Sequence, residues 1–414
     1  MVTTMRIWIR FLVGSIIGVA LGLWLPESGG DTAALFFGLS ALVVNVGRYL
    51  LFPLVFFGLA IGTYELMQER VALRVYAKTA VLVLASSAVM IVLGTLAVLF
   101  LAPARVPPIF QETPILTLPT LSDLLFRVFP RNLFGAFGED GNFLLPVAVV
   151  GLLLGVVAGR SQRTSEPLIQ LFDSAARAFY TLASWMMEIL GIGMIAVSAA
   201  FIFELRAIID FDIFSQLVLV LLFTVGLIIF VIFPLILYFV TDRENPYVWL
   251  FALIVPVLSA VFSRDAFFAV PPLLRVGKEN LGISRSIGSA VFSFGAVFAK
   301  GGTALVTAAT FILILRSFTA LGITFGQVLW VMTATFGLSF LLGSAPGSGV
   351  LIALSLLSGF YGRGMEEVFL IVLPIVPILV SIGVVLDVIT SAFVGYLVAY
   401  SERMRKRVDH LDFI

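Results

Sequence analysis

The stretch Phe298-Ala299-Lys300-Gly301-Gly302-Thr303 puts a lysine and two adjacent glycines inside a long apolar run. A lysine at membrane depth costs roughly 2.5 to 3.5 kcal/mol on insertion scales, so such a charge marks a functional site with a partner. The Gly-Gly pair weakens the helix at the same point, because glycine gives up the most backbone freedom when it is ordered. A charge and a backbone break together, inside an apolar segment, predict a cavity within a membrane-embedded helical protein.

Composition places the rest of the chain in the same solvent. Of its 414 residues 61% are hydrophobic and 12% charged, and mean hydropathy is +1.14, values of a polytopic membrane protein. The absence of cysteine rules out disulfides and thiolate chemistry, and His410 alone makes no histidine metal cluster. The net charge of +1 and the lack of a basic patch argue against nucleic acid as a partner. No nucleophile, base and oxyanion-donor set can be assembled, so the chain reads as a non-enzyme with neither cofactor nor metal.

Spans need about 20 apolar residues. Six full crossings are predicted at Ile7 to Leu25, Ala33 to Glu65 with Pro53 inside, Tyr76 to Leu101, Phe143 to Ala158, Phe179 to Phe203 and Phe214 to Val240. The first run could pass for a signal peptide, but its length and basic flank suit a first span, and the spans that follow need it for parity. Beyond Asn245 the apolar runs shorten. Tyr247 to Phe262 stops at Ser263-Arg264-Asp265 and resumes to Leu274, and Gly326 to Leu342 stops at Gly343 to Gly349 and resumes to Phe360. Each reads as a helix, a tip and a second helix, the form of a re-entrant hairpin. Between them lies Ile283 to Phe318, interrupted at Ala299 to Thr303, and after them Val368 to Tyr400.

Arginines and lysines cluster at Arg6 and Arg10, Arg70 to Lys78, Arg160 and Arg163, Arg275 to Arg285, and Arg403 to Arg407. Under the positive-inside rule this puts both termini in the cytoplasm, with the basic tail as a topology anchor and the chain in the cell (inner) membrane. The proline-rich stretch from Pro103 to Pro119 is then an extended outer loop.

The run Arg275-Val276-Gly277-Lys278-Glu279-Asn280-Leu281-Gly282-Ile283-Ser284, followed by Gly295-Ala296 and Gly302-Thr303-Ala304-Leu305, resembles the dicarboxylate/amino acid:cation symporters that include the glutamate transporters. Weaker similarity lies in Pro130-Arg131-Asn132-Leu133-Phe134-Gly135, Pro346-Gly347-Ser348-Gly349 and Leu386-Asp387. The resemblance implies an all-α integral membrane fold of eight transmembrane helices and two re-entrant hairpins, assembled as a homotrimer. It also implies an elevator mechanism. The scaffold would comprise residues 1–75 and 102–208, and the transport domain 76–101 and 209–401, with 402–414 as a cytoplasmic tail.

Departures from the family pattern concern the cation sites. The family's Asn-Met-Asp-Gly-Thr is replaced by Ala299-Lys300-Gly301-Gly302-Thr303, and two later ligand positions fall on Val394 and Val398. Ser86 and Ser87 remain in the third span, but the neighbouring tyrosine position is Val83. Hard cations need several oxygen ligands, and these side chains supply few. Lys300 offers an internal cation in their place, paired with Asp387; the other reading is a fixed, purely neutralising pair, or a lysine that snorkels.

The substrate positions implied by the resemblance are Arg264, Asp265, Thr303, Ser344, Gly347, Ser348, Gly349, Asp387, Thr390 and Ser391. Thr390 stands where acidic-substrate branches carry arginine, and Arg264 either reaches the pocket or pairs internally with Asp265 or Asp387. The glycine-rich second tip reads as a gate or as a plain turn, and Phe267 and Phe268 as gate residues or as packing. The expected function is sodium-independent transport of a small organic solute, an amino acid or carboxylate, across the bilayer. An anion-conducting channel and a transport-dead receptor or assembly protein are the alternatives.

Overall fold

The computed structural model describes residues 6–25, 30–107, 119–128, 132, 135–138, 143–208, 211–318, 322–342, 347–362 and 364–414. Among them the regular structure is helical throughout, apart from one bridge between Ile283 and Arg405. Seven segments are long and apolar enough to cross a membrane: Ile7–Trp24, Thr32–Gln68, Ala72–Leu101, Ser165–Arg206, Phe211–Val240, Arg285–Phe318 and Val368–Ser401. The chain is a multi-pass membrane protein.

Proline dictates most of the breaks, since its ring collides with the carbonyl four residues earlier. Helices α1 (Ile7–Trp24), α2 (Gly30–Arg48) and α3 (Leu51–Gln68) come first, and the pause at Tyr49-Leu50 falls where Pro53 meets the Tyr49 carbonyl. Helix α4 (Ala72–Leu101) has no internal proline and runs 30 residues unbroken. Short helices α5 (Leu121–Val128) and α6 (Gly135–Gly138) lead to α7 (Leu145–Arg160).

The fourth expected crossing, Phe143 to Ala158, is met by a short apolar helix set two residues later. Helix α7 has 16 residues, about 24 Å of rise against about 30 Å of hydrocarbon, and Pro146 in its first turn fixes where it starts. Helix α8 (Gln162–Arg206) is instead 45 residues long, well beyond the expected Phe179 to Phe203.

Helix α9 (Phe211–Leu227) continues through a π turn, Ile228–Ile232, into α10 (Phe233–Val240), and the π turn absorbs Pro234. Helices α11 (Pro246–Ala252) and α12 (Ile254–Ser263) meet at 53°, four residues before Pro256. The chain turns at Arg264, in left-handed conformation, and returns as α13 (Val270–Glu279). Then come α14 (Arg285–Ile287), a π turn Gly288–Phe292, α15 (Ser293–Phe298) and α16 (Gly301–Phe318). A second helix pair follows, α17 (Phe325–Ser339) and α18 (Gly349–Tyr361). Last is a 3-10 segment, Val368–Ile375, leading into α19 (Val376–Ser401).

The helices pack in two groups. Helices α1, α2, α3 and α7 gather along α8, whereas α16 is surrounded by α4, α17, α18 and α19. The window of Arg285–Phe318 is 94% buried, so this broken span is the axis of the second group. Helices α12 to α15 carry the contacts back to α1, α3, α7 and α8. Leu219, Phe223 and Phe230 are among the apolar side chains left exposed on the outside, as lipid contact requires.

Glycines permit the closest crossing in the first group. Gly14, Gly18 and Gly22 recur every four residues along the face of α1 that meets α8. A Cβ at Gly18 would lie 2.0 Å from Ser198 Oγ and 2.2 Å from the Ile195 carbonyl oxygen. Small residues at this spacing let membrane helices touch backbone to backbone. Gly18→Leu should therefore lower the melting temperature of the purified protein by several degrees, in line with an overpacking cost of about 1–3 kcal/mol. An unchanged thermal transition would show that α1 and α8 do not meet through this stripe.

Candidate functional site

The break in the seventh span has no proline. Helix α15 ends as Ala299 leaves helical geometry (φ −80°, ψ 69°), and α16 begins one residue after Lys300. The new helix presents unpaired backbone N–H groups at membrane depth. Asp387 of α19 satisfies them: Oδ1 accepts from Gly302 N (2.7 Å) and Thr303 N (3.0 Å), and Oδ2 accepts from Thr303 Oγ1 (2.6 Å). A carboxylate at a helix N-terminus also meets the positive end of its dipole. Gly302 makes the approach possible, because a Cβ there would sit 2.5 Å from the Gly383 carbonyl oxygen and 2.6 Å from Leu386 Cβ.

Lys300 is 6% exposed and Asp387 3%. The direct pair expected between them is not formed: among the described residues Lys300 Nζ makes no ion pair within 4 Å and no hydrogen bond. Asp387 and Asp265 both act on it electrostatically from farther away. The Asp387 oxygens are turned instead toward the helix donors, which offer three short bonds. Lys300 Nζ lies 5.8 Å from the centre of the Phe267 ring, and Arg48 Cζ lies at the same distance from that ring. Phe267 thus lies near two cations, and both it and Phe268 are fully buried.

The first hairpin tip places its charges elsewhere. Asp265 pairs with Arg48 Nη1 at 3.2 Å and accepts from Phe267 N at 2.8 Å. The internal pairings of Arg264 with Asp265 or Asp387 are corrected: its guanidinium bonds Glu204 near the end of α8 and lies over the Phe201 ring. Left-handed geometry at Arg264 (φ 57°) turns the side chain out toward α8. Sequence reasoning missed Arg48 and Glu204. Arg48 carried the signal that found Lys300, a charge deep in an apolar span, whereas Glu204 lies near a helix end, where charges are ordinary.

Two small cavities meet at Lys300. One is lined by Ala266, Lys300, Thr303, Gly347, Gly349 and Asp387 among others, and its neighbour by Ala299, Lys300, Asp387 and Ser391. Each offers about 10 Å³, room for a water at most. Lys300, Thr303, Gly347, Gly349, Asp387 and Ser391 are therefore brought together. Ser391 Oγ is buried without a hydrogen-bond partner. Ser348 is half-buried and does not line either cavity, and Ser344 lies outside the described residues. Thr390 turns away, donating to the Leu386 carbonyl at 2.6 Å with Met90 Sδ at 3.8 Å.

Residues 7–401 match the sodium:dicarboxylate symporter family, nearly the whole chain. The chain belongs to that family. Its members are transporters, not enzymes. The chain is 27% identical over 225 residues to neutral amino acid transporter A of Homo sapiens, covering 51% of this chain and 40% of that protein. It is 25% identical over 269 residues to neutral amino acid transporter B(0) of Oryctolagus cuniculus (58% and 49%). With excitatory amino acid transporter 3 of Bos taurus it shares 28% over 239 residues (56% and 44%). The chain thus matches just under half the length of these relatives.

The three bonds at Asp387 rank the variants. Thr303→Val removes one hydrogen bond to a charged group and should cost about 1.5–3 kcal/mol, while Asp387→Ala strands two backbone donors as well and should cost more. Thermal unfolding of both variants in the same detergent checks the order. Equal stability of Asp387→Ala and the parent would refute the capping role.

Proposed function

We propose that this chain is a secondary carrier of a small organic solute, an amino acid or carboxylate, working by an elevator mechanism. A scaffold of α1–α3, α7 and α8 holds a transport core of α4 and α9–α19. The core moves against the scaffold along the interface formed by α12 to α15. The division of helix packing into two groups supports this reading, because the contacts between them run mainly through the segment from α12 to α15. The helix pairs α12–α13 and α17–α18, each packed together, act as the two re-entrant hairpins of an eight-span fold. The carrier works as a homotrimer in the cell membrane with both termini in the cytoplasm.

The observation that carries the reading is Lys300, a buried ammonium at the junction of a broken helix, the second hairpin tip and Asp387. Intramembrane charges beside irregular backbone are where transporters hold solutes and ions. Lys300 takes the place of the coupling cation. Its neighbour supports this: at Gly301, where the resemblance puts a carboxylate, a Cβ would be 2.9 Å from Met90 Sδ and 3.0 Å from Ser87 Cα. A side chain able to ligate sodium would have to displace Met90 and crowd Ser87 there. The tip glycine Gly347, at φ 75°, gives hairpin two the turn it needs to open over the cavity.

The test is counterflow into vesicles carrying the purified protein, with labelled L-alanine, L-aspartate, propanoate and succinate as probes. Replacing sodium by potassium or choline should change uptake of the exchanged probe by no more than a few fold. A steep sodium dependence with a Hill slope above one would remove Lys300 from the role of internal cation. A large conductance that does not saturate would make the protein a channel instead.

A further inference from the structure

Resting on the carrier reading, we infer that the site takes a small monocarboxylate without an α-amino group, and that the Lys300 ammonium is its receptor. Four observations converge on this chemistry. An ammonium has three donors and no acceptor, and Lys300 spends none of them on a described residue while lining both cavities. A buried charge whose donors are unspent is stabilised by an anion that enters with acceptor oxygens.

Asp387 is poorly placed to receive a substrate amino group. Its two oxygens already accept from Gly302 N, Thr303 N and Thr303 Oγ1. An ammonium docked on its remaining lone pair would lie beside Lys300, within the range over which Asp387 itself acts on that lysine. Like charges at such separations repel strongly in a low-dielectric site. The relatives named above are amino acid transporters; this chain puts a lysine beside the aspartate.

The number of carboxylates follows from the number of cations. Arg264 is bound to Glu204 on α8 and Arg48 to Asp265. Thr390, fully buried, faces Met90. Lys300 is left as the one cation lining these cavities among the described residues. A dicarboxylate would bring a second charge with no partner, and burying an unpaired charge is costly. The remaining walls near Lys300 are Ala266, Leu342, Val350, Val380 and Val384, apolar surfaces that meet a short alkyl tail once hairpin two opens, since the closed cavities hold a water at most.

The experiment uses the full chain in lipid nanodiscs and three probes of similar size: propanoate, L-alanine and succinate. Thermal shift should give propanoate an affinity more than tenfold above that of L-alanine or succinate, since a ligand that binds only the folded state raises its stability. Lys300→Gln should lose propanoate binding by at least tenfold, whereas Lys300→Arg should keep a measurable part of it. L-alanine binding as well as propanoate, or Lys300→Gln binding propanoate like the parent, overturns the assignment. So does the absence of binding by all three. Should Lys300→Gln fail to fold, the ranking of probes on the parent and on Lys300→Arg still decides. Counterflow separates the two levels. Exchange that favours L-alanine sinks the assignment and leaves the carrier standing; propanoate that binds without exchange supports the assignment and sinks the carrier.

Discussion

The carboxylate of Asp387, bonded across to the start of α16, is the constraint on which the core of this protein depends. A helix that begins inside a membrane exposes donors where no bulk water can reach them. Asp387 closes that deficit with three bonds, and it does so from a different helix, so the cap is also a tertiary tie. Gly302 lets the two backbones approach closely enough for it. Because the carboxylate is committed to the helix, Lys300 feels Asp387 only from a distance and keeps its donors unspent among the described residues, and the chemistry of the cavity follows from that division of labour.

A second set of charged contacts binds the two packing groups. Arg264 reaches Glu204, Arg48 reaches Asp265, and Glu188 of α8 meets both Arg10 of α1 and Arg275 of α13. Glu188 thus serves an element of each group at once. Farther along, Arg285 joins Asp173 at 2.6 Å. Apart from Arg48–Asp265, whose carboxylate is buried, these pairs are partly exposed, so each of the others contributes modestly to stability. Their geometry matters more, since an interface of discrete, exchangeable pairs has defined positions rather than a continuum.

Most of the fold was legible in the sequence because the breaks are written in proline and glycine. Pro53, Pro234 and Pro256 each stand four residues after a disturbance in the helix, and the Gly301-Gly302 pair marks the break without one. Helix α7 starts two residues later than Phe143, because Phe143 and Leu144 are apolar and apolarity does not show that Pro146 in the first turn sets where the helix begins. The cluster at Lys300 was legible in some of its members and not in its pairings. Lys300 and Asp387 stood out as buried charges, and opposite charges suggested a bond between them. Two of the three partners of Asp387 are backbone N–H groups, which no side-chain pattern displays. Arg264 was displaced from the pocket by a left-handed turn, a backbone choice invisible to residue type. Glu204 is 60 residues away along the chain, so nothing local pointed to it.

The chain's final segment returns to the loop that joins α13 to α14. Ser284 N donates to the Met404 carbonyl at 3.0 Å and Lys406 N to the Gly282 carbonyl at 2.8 Å, Arg405 pairs with Glu244, and Ile414 N reaches Asn280 Oδ1. Phe413 is 3% exposed and stacks on Phe251. The segment is therefore a noncovalent clasp that fastens α19, α11 and the base of the first hairpin into one mechanical body. Under the elevator movement proposed above, a label on these residues would report the displacement of that body from a place remote from the cavities at Lys300.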